Sequence, residues 1–162
     1  MYPPDFKPVP GKFISVSPWN YKEQMPGVTL YEHNVFPSSI TGLPGHDVEN
    51  VTLENIEVTY KTVASKNVNY FPLDSLNVIT EAVKDYPEFS MFGELPVWGF
   101  YVRHVNGLTM KNVTIKMQGE DFRTGFLFND VKQLLLKKIR TEGKTAKPDI
   151  FLNAVNKVAG SE

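Results

Sequence analysis

One pattern occurs more than once in this chain, and it restricts the fold more than any other feature. Val48-Glu-Asn-Val51-Thr-Leu53-Glu-Asn55-Ile56-Glu-Val58 aligns with Val105-Asn-Gly-Leu108-Thr-Met110-Lys-Asn112-Val113-Thr-Ile115, with apolar, polar and asparagine positions coinciding. A third copy, Val131-Lys-Gln-Leu134-Leu-Leu136-Lys-Lys138-Ile139-Arg-Thr141, keeps the apolar slots and puts lysine where asparagine stood. Val155-Asn-Lys-Val158 begins a fourth. A short unit with one apolar face cannot bury that face alone, so repeated units must stack.

Each later copy follows an alternating segment: Phe100-Tyr-Val102-Arg-His104, Phe126-Leu-Phe128-Asn-Asp130, and Ile150-Phe-Leu152-Asn-Ala154. Period-2 strands broken by Asn or Gly turns, recurring every 26 residues (Val105 to Val131) and then 24 (Val131 to Val155), predict a parallel β-helix. Leucine-rich repeats share the period, but their consensus is missing. Composition agrees: 18 Val, 7 Ile and 11 Thr against 5 Ala favour strand over helix. The expected fold is therefore all-β, a single solenoid of at most about six coils. Asn55 and Asn112 are suited to the left-handed bend between two strands and can bond their counterparts in the next coil. Asn50-Val-Thr52 and Asn112-Val-Thr114 are also formal glycosylation sequons, but both sit inside the repeat, which favours the turn.

The first two copies are 57 residues apart, room for one coil and an insertion over about 60–98. A short helix is expected within 73–85, with Asp74 or Ser75 as cap and Leu76, Ile79 and Val83 on its buried face. Residues 1–39 hold seven prolines and read as an irregular segment that could cover an open end, with strands expected at 13–16 and 28–31. The coils occupy 40–162.

The 162 residues carry a formal charge of -1, from 5 basic and 9 acidic residues in 1–81 and 12 and 9 in 82–162. That mild asymmetry argues against nucleic acid and suits an acidic polysaccharide at most. No apolar run is long enough for a membrane helix, and Met1-Tyr2-Pro3-Pro4-Asp5 lacks a signal-peptide pattern, so nothing assigns a compartment. With no cysteine, thiol chemistry is excluded. No histidine pair has metal-ligand spacing, and no phosphate loop or nucleophile elbow is present, so no metal or cofactor is expected.

Two stretches carry a resemblance. Ile40-Thr-Gly-Leu-Pro-Gly-His-Asp-Val-Glu-Asn-Val-Thr-Leu-Glu-Asn-Ile56 and Tyr86-Pro-Glu-Phe-Ser-Met-Phe-Gly-Glu-Leu-Pro-Val-Trp-Gly-Phe-Tyr-Val-Arg-His104 resemble the C-terminal coils of bacterial glycoside hydrolase family 28, the polygalacturonases and rhamnogalacturonases. The likeness spans about 39–158. It implies a right-handed parallel β-helix, galacturonan or rhamnogalacturonan as substrate, and a periplasmic or secreted location. The family hydrolyses with inversion, using aspartates of adjacent coils. Its Asn-Thr-Asp, Asp-Asp, Gly-His-Gly and Arg-Ile-Lys motifs lie upstream of the resembling part, and none occurs here. Gly45-His46-Asp47 and Lys138-Ile139-Arg140 are not equivalents. The resemblance thus implies late coils without the catalytic set, with self-association or a separate N-terminal half completing the open end. A non-catalytic carbohydrate-binding module and a structural or assembly module are the competing classes; a lyase would need calcium-binding or basic residues not seen here.

The substrate-binding candidates are Arg103 and His104, because guanidinium grips carboxylate in a bidentate fork. Trp98 and Tyr101, with Phe92, form a candidate sugar-stacking platform, though aromatics beside Pro96 and Gly99 also serve to pin loops. His46, after Pro44-Gly45, is placed to reach a sugar or a local carbonyl. Glu94 and Glu88 are a formal acid-base pair of unset separation. Glu120-Asp121 reads as a solvated turn, His33 has no assigned role, and the methionines read as filler.

Overall fold

The structure is a computed structural model that describes residues 34–63, 70–84, 91–145 and 149–161. The chain divides into two units, Met1–Glu32 and His33–Glu162, and all described residues belong to the second. The strands expected at 13–16 and 28–31, most of the covering segment, His33 and Glu88 fall outside the described residues.

The second unit is all-β. Its strands are β1 (Ser38–Thr41), β2 (Val48–Val63), β3 (Val97–Asp121), β4 (Thr124–Thr145) and β5 (Ile150–Ser161). They form one sheet in which every pair is parallel: β1 and β2 both pair with β3, β3 with β4, and β4 with β5. The register follows the sequence repeat: Val48 lies opposite Val105, Val105 opposite Val131 and Val131 opposite Val155. Four rungs result, with β1 and β2 sharing the first.

Long strands of this kind bend at fixed places. Asn55, Asn112 and Lys138 have φ of 56, 51 and 53°, Asn50, Gly107, Gln133 and Lys157 have 55, 82, 55 and 54°, and His104, Asp130 and Ala154 have 52, 54 and 51°. Each set is one column of the register, so the ladder skips the same position in every rung. Asparagine accepts left-handed backbone readily, and the expected contact forms: Asn112 Nδ2 donates to Asn55 Oδ1 at 2.8 Å. A second asparagine pair that the repeat did not suggest, Asn153 Nδ2 to Asn129 Oδ1 at 2.8 Å, links β5 to β4. At Gly107, with φ of 82°, a Cβ would meet the Asn50 amide oxygen at 2.9 Å, so a larger residue here would have to displace that side chain.

The alternation then sorts side chains. Trp98, Phe100, Val102, Val105, Leu108, Met110, Val113 and Ile115 of β3 pack with Phe126, Phe128, Val131 and Leu134 of β4 in the main core. Phe100 stacks on Phe126 with planes 5° apart, as identical-face residues one rung apart should. β2 contributes Val48, Val51, Leu53, Ile56, Val58 and Tyr60 as partly buried packing, and in β5 the core-column residues Leu152 and Val158 are 43% and 48% exposed.

The insertion covers the other face. Leu76, Ile79, Phe92 and Leu95 pack on Val97, Tyr101 and Leu127, which point away from the main core. The helix expected over 73–85 is instead one 3-10 turn, Leu76–Val78. Leu76 and Ile79 are buried as expected, but Val83 is exposed. Ser75 makes no capping bond, Ile79 is extended, and Ala82 sits at φ 48°, so the spacing that suggested a helix served a single turn. The carbonyl of Ile79, which a continuing helix would use itself, accepts from Arg103 Nη1 at 2.8 Å.

Asp121 is not solvated, contrary to the turn reading of Glu120-Asp121. It is buried with Arg123: Nε donates to Oδ1 at 3.0 Å and Nη2 to Oδ2 at 2.8 Å, while the Arg123 backbone N–H also donates to Oδ1. Arg123 Nη1 further donates to the carbonyls of Val97 and Leu95, joining the insertion to β3. Two residues apart at the β3–β4 turn, the pair left no spacing signal.

Two outcomes follow from this packing. Arg123→Met strands a buried carboxylate and two carbonyls and is expected to lower unfolding free energy by about 3–5 kcal/mol in urea denaturation, whereas adding Asp121→Leu recovers part of the loss. Lys138→Asn is expected to raise stability by roughly 0.5–1 kcal/mol, since asparagine tolerates that bend and extends the Asn55–Asn112 ladder; no gain in urea midpoint would count against the ladder's contribution.

Candidate functional site

The corner before each repeat gathers the ionisable groups. Asp47, His104 and Asp130 occupy the position preceding Val48, Val105 and Val131, and the register places those valines side by side. Their donor atoms all lie within 4.8 Å of one another. His104 Nδ1 is 2.6 Å from Asp130 Oδ2, and His104 Nε2 is 3.1 Å from Glu81 Oε1, so each ring nitrogen faces a carboxylate. Lys132 Nζ donates to Asp47 Oδ2 at 2.6 Å. The carboxylate of Asp47 raises the Lys132 ammonium above the usual lysine range, first by this hydrogen bond and then by its charge.

Arg103 holds the insertion against this corner. Its Nη2 pairs with Glu81 Oε1 at 2.6 Å and its Nη1 reaches the Ile79 carbonyl and, at 3.5 Å, the Tyr101 hydroxyl. The guanidinium is therefore turned onto the protein's own carboxylate. Burial pushes the Tyr101 hydroxyl above the ordinary tyrosine range, with the Arg103 charge acting in the opposite direction.

The sequence candidates divide accordingly. Arg103 and His104 do lie together, but both are buried and engaged by Glu81 and Asp130. Trp98 and Tyr101 are 0% exposed, Trp98 in the main core and Tyr101 under the insertion, so neither offers a ring face to a sugar. That corrects the stacking platform: alternation sends successive aromatics to opposite sides of the strand, and both sides are covered. Phe92 is likewise buried, in edge contact with Tyr101 at 5.5 Å. His46 is exposed in the Leu43–His46 turn, where its backbone pairs with Leu43. Glu94 Oε2 accepts the Asn34 backbone N–H at 3.3 Å and its carbonyl accepts that of Phe71, a loop-fixing arrangement.

Sequence reading missed Glu81, Asp130, Asp47 and Lys132. The repeat did carry a signal for three of the site's members: in three copies an ionisable residue, Asp47, His104 or Asp130, stands directly before the first inward valine. Glu81 had none, because it enters from the insertion.

A second feature is a trough of about 470 Å³ that crosses the rungs, lined by Asn50, Thr52, Thr109, Gln133, Leu135 and Lys157 among others. Polar groups of Asn50, Thr52, Thr109, Gln133 and Lys157 line it together with the apolar side chains of Val51, Leu134 and Leu135, and Thr52, Thr109 and Leu135 are register partners.

Raised tyrosines set an alkaline limit. Above about pH 10 the unfolded chain ionises its tyrosines while buried Tyr101, and Tyr60 likewise, still hold their protons. The folded chain then binds more protons, so stability is intact below that pH and falls as pH rises towards the folded values. Urea unfolding from below to well above pH 10 is expected to show this loss, with a shallower slope in Tyr101→Phe.

No protein-family model, curated protein or solved structure matches the chain, so the reading of this corner rests on its own geometry.

Proposed function

We propose that the rungs are late coils of a right-handed parallel β-helix of the glycoside hydrolase family 28 kind, built for galacturonan-type polysaccharide and non-catalytic by themselves. The observation that carries this reading is the coincidence of the sequence repeat with the pairing register, corner by corner, including the Asn55–Asn112 contact. Stacked strands with left-handed corners and an asparagine ladder are what such a coil requires.

The carboxylates support the non-catalytic part. An inverting hydrolase keeps its two carboxyl groups about 6.5–9.5 Å apart to hold a water between them. Asp47 and Asp130 have donor atoms within 4.8 Å, and both are bonded, to Lys132 and His104. Among the described residues the outer edge of β5 pairs with no strand, and its exposed Leu152 and Val158 favour a further coil or a second chain stacked there.

A carbohydrate-binding module without catalysis is the second reading, favoured by the trough, whose lining combines polar groups with apolar side chains. One experiment separates the two: reducing-end release and calorimetry on polygalacturonate and rhamnogalacturonan fragments in the same samples. The expected result is no release. Release would overturn the non-catalytic reading, while binding that Lys157→Ala and Thr109→Ala each weaken would favour the module.

A further inference from the structure

We propose that Asp47, His104 and Asp130 form a binding site for one divalent first-row transition metal ion. This stands on the geometry of the corner and is independent of the carbohydrate reading.

The donors come from three consecutive rungs and converge because the register aligns the positions before Val48, Val105 and Val131. They supply one imidazole nitrogen and two carboxylates, with all donor atoms within 4.8 Å of one another. That mixed set suits zinc, cobalt, manganese or iron better than calcium or magnesium, which prefer oxygen alone.

The surroundings of His104 add an independent reason. A metal-binding histidine characteristically donates its second N–H to a carboxylate, which fixes the tautomer and turns the other nitrogen to the ion. His104 Nε2 has that partner in Glu81, 3.1 Å away, which comes from the insertion and is itself clamped by Arg103 at 2.6 Å. Nδ1 is thereby the nitrogen left for the ion, and it is the one beside Asp130.

Two groups must yield. Lys132 Nζ sits on Asp47 Oδ2 and supplies the positive charge that the carboxylates require; its side chain is 47% exposed and can withdraw into solvent. Nδ1 and Asp130 Oδ2 are 2.6 Å apart, whereas neighbouring donors around a tetrahedral ion with bonds of 2.0–2.1 Å stand about 3.3 Å apart. The Asp130 side chain, 41% exposed, has room to rotate by that amount, and the proton shared on this line passes to solvent when the ion binds. Three protein donors leave the remaining coordination positions to water.

The test titrates the full chain with Co2+, read by its visible absorption, with Zn2+ as competitor. Expected are saturable binding at one ion per chain, displacement by Zn2+ but not by Mg2+ or Ca2+, and a melting temperature that rises with metal concentration. Asp47→Asn and His104→Ala are each expected to weaken binding at least about 10-fold and Glu81→Gln about 10–100-fold, while Lys132→Ala leaves it unchanged or tighter. If His104→Ala fails to fold, Asp47→Asn and Asp130→Asn, which keep side-chain shape, decide the matter. Absence of saturable Co2+ binding would overturn the proposal, as would binding that survives Asp47→Asn and Asp130→Asn undiminished.

Discussion

In-register parallel pairing around β3 is the constraint on which the rest of this unit depends. β3 is flanked along most of its length, by β1 and β2 on one side and β4 on the other, and its inward column from Trp98 to Ile115 is closed to solvent. Each fully buried large side chain there contributes roughly 1.5–3 kcal/mol, but only while the neighbouring rungs stay in register. A slip of one residue would send Leu108 and Met110 outward and Thr109 inward. Stability is thus shared between nearest rungs, and the half-exposed core positions of β5 show how much is forfeited where a rung has one neighbour.

The corners make that register possible. A straight strand of 25 residues would exceed the span that a small core can cover, so the chain must turn without breaking the ladder. One left-handed residue does this at the loss of a single ladder position. Asn112 bonds Asn55 across the rungs and Gln133 Nε2 donates to Asn106 Oδ1 at 3.2 Å, whereas at Lys138 and Lys157 the conformation is the same and no such help comes from the residue type. Retention of the bend at these positions shows that packing, not local preference, decides the backbone.

Legibility from sequence followed the same division. The repeat fixed the partners of Val48, Val105, Val131 and Val155, because apolar periodicity and stacking are one physical fact seen twice. The outer face was less readable. Leu76 and Ile79 looked like a helix because a spacing of three fits a 3-10 turn as well as an α-helix, and the tertiary partner that chose between them, Arg103, lies 24 residues on. Trp98 and Tyr101 looked like a ligand platform because a strand covered on both faces has the same alternation as one covered on a single face. Asp121 looked solvated because nothing in its neighbours announces that the turn is overlaid by the insertion.

Stacking identical positions about 4.8 Å apart also governs where charge can go. Like charges in one column repel by roughly 1 kcal/mol even in water, so a stack is favoured when acid and base alternate. Lys116 pairs diagonally with Glu57 at 2.9 Å on one side and lies 3.7 Å from its register partner Glu142 on the other, an acid-base-acid arrangement worth little individually. Lys111 opposite Lys137 breaks the rule, and there Glu54 stands across from Lys111 on the first rung. Asp47, His104 and Asp130 repeat the acid-base-acid order with a different middle member. Lysine in the centre would spread one charge to both carboxylates through a flexible chain, whereas the ring of His104 is buried and directed, its far side held by Glu81. Alternation explains why a basic group lies there; the rigid, two-sided anchoring of an imidazole is more than charge balance requires, and it is what sets this corner apart from the other polar columns of the stack.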